Sequence, residues 1–143
     1  MRTMALKKII NTEDFRIGIW QIDSEIKESY LTDLNLINIK SEKRKKEKIA
    51  VRLLLNEMNI NSDLIYTKYG APKIEGSYVS ITHSDQLVAI IISDKKIGID
   101  IEKISGKVLK ISSKFINKKN LKNITKEKAT IIWCAKEAIY KLL

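Results

Sequence analysis

Between residues 64 and 104 four short β-rich runs follow one another: LIYTKYG (64–70), YVSITHS (78–84), LVAIII (87–92) and KIGIDIEKI (96–104). This block constrains the fold more than any other feature of the chain. An earlier run, RIGIWQID (16–23), sets Ile17, Ile19 and Gln21 on one side and Trp20 and Ile22 on the other, and reads as a further strand. Two helical patterns bracket the block. Ser41 is placed to cap a helix running to about Met58, with Ala50, Val51, Leu54, Leu55 and Met58 as its apolar positions. Thr125 starts a second, KEKATIIWCAKEAIYKLL, whose apolar stripe is Ile131, Ile132, Ala135, Ala138, Ile139 and Leu142. The expectation is an α+β fold with an antiparallel sheet packed on the 41–58 helix. A short helix is expected within 24–39, a turn at 59–63, and a tight hairpin at Ser93-Asp94-Lys95-Lys96 joining the last two β-rich runs. Residues 105–123 are polar and lysine-rich around one apolar pair, Phe115-Ile116.

At 143 residues, with 44% apolar residues, 5 Gly and 1 Pro, the chain holds one domain, or one and a fraction, and enough apolar surface for a core. Lys+Arg 27 against Asp+Glu 17 leaves +10, which favours an acidic or phosphate-bearing partner. Lys45, Lys48 and Arg52 form one basic stripe of the first helix. The single cysteine, Cys134, excludes an internal disulfide, and the single histidine excludes a zinc site of the usual Cys/His kind. No signal-peptide run and no stretch near the ~20 apolar residues of a membrane span is present, so a soluble, cytoplasmic protein without a membrane partner is expected.

Three constellations carry possible chemistry. On a strand, Asp100 and Glu102 share a face, and two adjacent carboxylates favour a divalent cation; the plainer alternative is the solvent face of a half-buried strand. Trp133, Glu137 and Lys141 stack at i, i+4 and i+8 on the second helix, where a surface Glu–Lys pair would look the same. Thr82, His83 and Ser84 place two hydroxyls and an imidazole where a strand meets a loop.

In order, these pieces resemble the 4′-phosphopantetheinyl transferases, of the surfactin-type subclass. GAPKI (70–74) is similar to the family's G-K-P element, ITHS (81–84) to its S-H-S, IGIDIEKI (97–104) to its G-x-D-x-E segment, and WCAKEAIYK (133–141) to its W-x-x-K-E-x-x-x-K. The resemblance implies transfer of the 4′-phosphopantetheine arm of coenzyme A to a serine of an acidic apo carrier protein (acyl or peptidyl). The reaction depends on Mg²⁺ and releases adenosine 3′,5′-bisphosphate. It implies Asp100, Glu102 and Glu137 as metal ligands, and Glu137 and Lys141 as the catalytic pair. Arg44, Arg52, Lys73, Thr82, His83 and Lys136 would be the coenzyme A contacts, with His83 near the 3′-phosphate.

The same resemblance implies a pseudo-symmetric fold, with residues 1–105 as its N-terminal half and 106–143 as an incomplete start of the second. An exposed second helix and self-association are then expected. Two positions depart from the pattern: Ala71 stands where the family has the lysine of G-K-P, and Asn120 where it has a glutamate. Two other functions stay open, a non-catalytic, truncated remnant of such a transferase and a basic nucleic-acid-binding module. Three clustered carboxylates would repel a phosphate backbone, which weighs against the second.

Overall fold

The computed structural model describes residues 6–22 and 36–143. The helix expected within 24–39 therefore lies mostly outside the described residues; residues 37–38 form a turn. Among the described residues, six strands, β1 (Leu6–Asn11), β2 (Phe15–Gln21), β3 (Leu64–Tyr66), β4 (Pro72–Ile74), β5 (Tyr78–Ser84) and β6 (Leu87–Ser93), combine with α1 (Glu42–Glu57), α2 (Gly106–Ile111), α3 (Lys118–Leu121) and α4 (Lys126–Leu142). A 3₁₀ turn, Ser112–Lys114, joins α2 to the segment before α3.

The main sheet has the order β1-β2-β6-β5 and is antiparallel throughout. β3 and β4 form a separate two-stranded ribbon. In the main sheet Gly18 pairs with Ile90 and Trp20 with Val88 on one side, while Ile81 and His83 pair with the same two β6 residues on the other. Paired residues share a face, so this row looks toward α1. Leu54, Leu55 and Met58 of α1 pack there against Trp20, Val88, Ile90 and Ile92. Gly18 is required by this contact: a Cβ there would lie 2.6 Å from Met58 Sδ and 2.7 Å from Leu54 Cδ1. As expected, α1 is capped by Ser41, whose Oγ accepts from the Arg44 N–H at 3.3 Å, and α4 by Thr125, whose Oγ1 accepts from Lys128 N–H at 3.2 Å.

The sequence reading erred over residues 93–104. No hairpin forms at Ser93–Lys96; β6 instead pairs with β2 and, through the two-residue turn Asp85-Gln86, with β5. Asp85 adopts φ 52°, the left-handed conformation such turns need. Residues 97–104 make no strand ladder. They run in the same direction as β5 and are tied to it by hydroxyls. Ser80 Oγ accepts from Ile99 N–H at 3.2 Å, Thr82 Oγ1 from Ile101 N–H at 3.3 Å and Ser84 Oγ from Lys103 N–H at 3.1 Å. Ser80, Thr82 and Ser84 alternate with the residues facing α1, so the acidic segment lies on the opposite face of the sheet. An alternating polar pattern in β5 thus serves a second chain segment where periodicity alone suggests solvent.

α4 closes over that segment. A Cβ on Gly98 would collide with the Ala138 carbonyl, so glycine is what lets the helix backbone approach. Beneath its N-terminal part a small cluster of Val108, Ile116 and Ala129 is buried, with Phe115 and Trp133 edge-to-face at 5.1 Å. The expected apolar stripe splits: Ile132, Ala138 and Leu142 are half-buried, whereas Ile131, Ala135 and Ile139 are exposed.

Candidate functional site

The seam between the 97–104 segment and α4 gathers the charged residues. Asp100 is 7% exposed in its side chain, and its Oδ1 accepts from Thr82 Oγ1–H at 3.1 Å and from Lys141 Nζ at 3.3 Å. Lys141 Nζ also donates to the Ile99 carbonyl at 2.9 Å and the Ile81 carbonyl at 3.4 Å. The other Asp100 oxygen, Oδ2, is buried without a hydrogen-bond partner among the described residues. A carboxylate oxygen left bare in the interior is costly, and such a group calls for a cation or a proton donor.

Glu102 stands beside it, its Oε1 accepting from Trp133 Nε1–H at 3.4 Å. Desolvation raises the Glu102 pKa, and the Asp100 and Glu137 carboxylates push it further in the same direction, against the Trp133 hydrogen bond and Lys141. Glu102 therefore feels two other negative groups across this seam. Cys134, one residue past Trp133, also faces it: burial, then the Asp100 carboxylate, raises its thiol to about 11.

Among the described residues no three His, Cys, Asp or Glu side chains converge as a ready-made metal-ligand group. Asp100 Oδ1 is held by Lys141 and Thr82 instead. The bare Oδ2 and the repulsion that Asp100 and Glu137 exert on Glu102 are nonetheless what a hard divalent cation would relieve, and all three donors are oxygens. The residues fit the group. A cleft of about 310 Å³ opens beside Glu102, bordered by Gln21, Ser84, Leu87 and Ile101.

A second cleft, of about 380 Å³, lies on the α1 side of the same end of β5. Arg44, Glu47, Lys48, Tyr66, Gly70 and His83 line it, with Lys48 Nζ 4.9 Å from the centre of the Tyr66 ring. Arg44 and Lys48 meet here because they are one helical turn apart. Desolvation lowers the His83 pKa below its usual value; Glu47 opposes this, while Lys141, Lys43 and Lys48 add to it. The cleft is a basic recess suited to a phosphate group.

The expected site residues divide accordingly. Arg44 and His83 share the basic recess, and Asp100, Glu102, Glu137 and Lys141 share the seam. Thr82 belongs to the seam: it is 3% exposed and faces away from the recess. Arg52 and Lys73 line neither cleft, and Lys136 is exposed on α4. The basic stripe of α1 is partly spent within the fold, Lys45 pairing with Glu42 at 3.4 Å and Lys48 covering Tyr66. Sequence reading missed Lys48 and Tyr66 as recess walls and Ser80 and Ser84 as anchors. The four-residue spacing from Arg44 was the available signal for Lys48.

A family model described as the 4′-phosphopantetheinyl transferase superfamily matches residues 96–143, the stretch that carries Asp100, Glu102, Glu137 and Lys141. The 4′-phosphopantetheinyl transferase gsp of Aneurinibacillus migulanus is 29% identical to this chain over 123 residues, covering 82% of this chain and 52% of that protein. The chain thus spans about half the length of this curated relative. Residues 96–143 are thus similar to the 4′-phosphopantetheinyl transferase superfamily, and the seam they help to build brings Asp100, Glu102, Glu137 and Lys141 together.

Proposed function

We propose that the chain acts in surfactin-type transfer of 4′-phosphopantetheine from coenzyme A to a serine hydroxyl of an acidic apo carrier protein. The observation that carries this reading is the buried, half-satisfied Asp100 carboxylate, set beside Glu102 and under Lys141. In the reaction the serine oxygen forms a bond to the phosphorus of the pantetheine arm, and the bond from that phosphorus to the bridging pyrophosphate oxygen breaks. Adenosine 3′,5′-bisphosphate leaves. Glu137, directly or through a water, takes the serine proton. Lys141 turns from its carbonyl partners to the pyrophosphate and stabilises charge on the leaving phosphate. His83 and Arg44 hold the 3′-phosphate in the basic recess, with Lys48 adding positive charge. Asp100, Glu102 and Glu137 would hold Mg²⁺, which when bound neutralises pyrophosphate charge. The net charge of +10 steers acidic carriers toward the chain. A cytoplasmic location accompanies this reading, and the exposed Ile131, Ala135 and Ile139 favour self-association of the isolated chain.

Intact-mass spectrometry of an apo carrier protein incubated with this chain, coenzyme A and Mg²⁺ tests the proposal. The expected result is a gain of one phosphopantetheine that disappears with EDTA. An unchanged carrier mass, with coenzyme A still bound by the chain, supports a second, non-catalytic reading. One observation favours that reading: Asp100 Oδ1 is already occupied by Lys141.

A further inference from the structure

The three hydroxyls of β5 do unequal work. Ser80 and Ser84 each receive one backbone N–H of the acidic segment, from Ile99 and Lys103. Thr82 receives the N–H of Ile101 at 3.3 Å and also donates its own proton to Asp100 Oδ1 at 3.1 Å. It is 3% exposed, so water does not compete for either bond. A hydroxyl has one proton to give and lone pairs to accept with, and both uses are committed here. Its χ1 is stiff, being β-branched, so the donor direction is fixed by the strand. Because Thr82 and Lys141 both sit on Oδ1, the oxygen left bare is Oδ2.

We infer that Thr82 is a positioning residue for Asp100: its hydroxyl orients the carboxylate so that Oδ2 is the oxygen offered to a cation. This inference rests on the proposed assignment of Asp100 as a metal ligand, and it moves Thr82 from the coenzyme A contacts to the carboxylate it holds. Lys141 alone would not suffice, since its ammonium is free to turn toward a phosphate, whereas Thr82 has no other acceptor among its described bonds.

Tb³⁺ is a suitable probe, a hard cation whose emission is excited through a nearby indole, here Trp133 beside Glu102. Titrations compare the parent chain, Asp100→Asn, Thr82→Val, Thr82→Ser and Ser80→Ala, with near-UV circular dichroism reporting the fold of each. Thr82→Val is expected to weaken Tb³⁺ binding about tenfold or more, the loss of one hydrogen bond to a charged group. Thr82→Ser restores parental binding, and Ser80→Ala, which removes a rung that lines neither cleft and makes no bond to Asp100, stays within about threefold of the parent. Should Thr82→Val fail to fold, Thr82→Ala removes the same hydroxyl with a smaller side chain. Parental affinity in a folded Thr82→Val or Thr82→Ala overturns the inference, as does equal weakening by Ser80→Ala. Equal binding by the parent and Asp100→Asn overturns the metal assignment itself, and the role of Thr82 falls with it.

Discussion

The two faces of the main sheet are packed very differently. On the α1 face Leu54, Leu55, Met58, Val88 and Ile90 are fully buried. On the α4 face Ala89 and Ile91 are buried beside Ser80 and Thr82, Val108, Ile116 and Ala129 form a small cluster, and Ile131 and Ile139 remain 66% and 56% exposed. The first face is held by interdigitated apolar side chains. The second is held by hydroxyl–backbone bonds, one glycine contact and an ion pair. The acidic seam lies along the second face, where polar groups are buried but incompletely satisfied. This follows the general division between a rigid scaffold that fixes positions and a polar seam able to exchange partners.

The contrast can be broken most directly at its two cores. Leu54→Ala is expected to cost about 2–5 kcal/mol, whereas Ile139→Lys stays within about 0.5 kcal/mol of the parent; urea denaturation measures both. Comparable losses would mean that the two faces are packed alike. Next comes the seam: Gly98→Ala forces a Cβ into the Ala138 carbonyl and displaces α4, costing about 1–3 kcal/mol. The Trp133 fluorescence should change with it, and an unaltered spectrum would show that α4 does not rest on Gly98. Removing the Ser41 cap by Ser41→Ala costs about 0.5–2 kcal/mol, read from the same urea denaturation.

The smallest effect concerns protons. The lowered His83 pKa means that the folded chain holds fewer protons than the unfolded one just below the usual imidazole range. The stability from neutral His83 is full above the unfolded pKa and is lost as pH falls through the folded pKa. A phosphate in the recess favours the imidazolium, so phosphate binding should strengthen as pH falls through that window. His83→Gln flattens both trends in pH-dependent melts and binding. A pH dependence left intact in that variant would place its source elsewhere.

Much of the scaffold was legible because its patterns are local. Ser41 and Thr125 announced their helices, and the alternation of 16–23 announced β2. The acidic pair, the lysine of α4 and His83 were legible through motif order. Residues 97–104 were misread because β6 and the acidic segment look alike as apolar, β-branched runs, while the choice of partner is made across the sheet. Nothing local says that Ser80, Thr82 and Ser84 will receive backbone N–H groups 19 residues on. Exposure of the second helix was expected from the resemblance, but the split of its stripe was hidden for the same reason: a periodic apolar pattern shows which side chains align, but not which of them are covered.

In the proposed function the basic recess and the acidic seam form one coenzyme A site across the end of β5. Isothermal titration of coenzyme A into the chain and into Asp100→Ala, each with Mg²⁺ and with EDTA, puts this to the test. Mg²⁺-dependent binding by the parent chain, lost in Asp100→Ala, is expected. Binding of equal strength in all four titrations would contradict it, leaving the seam without a part in holding the nucleotide.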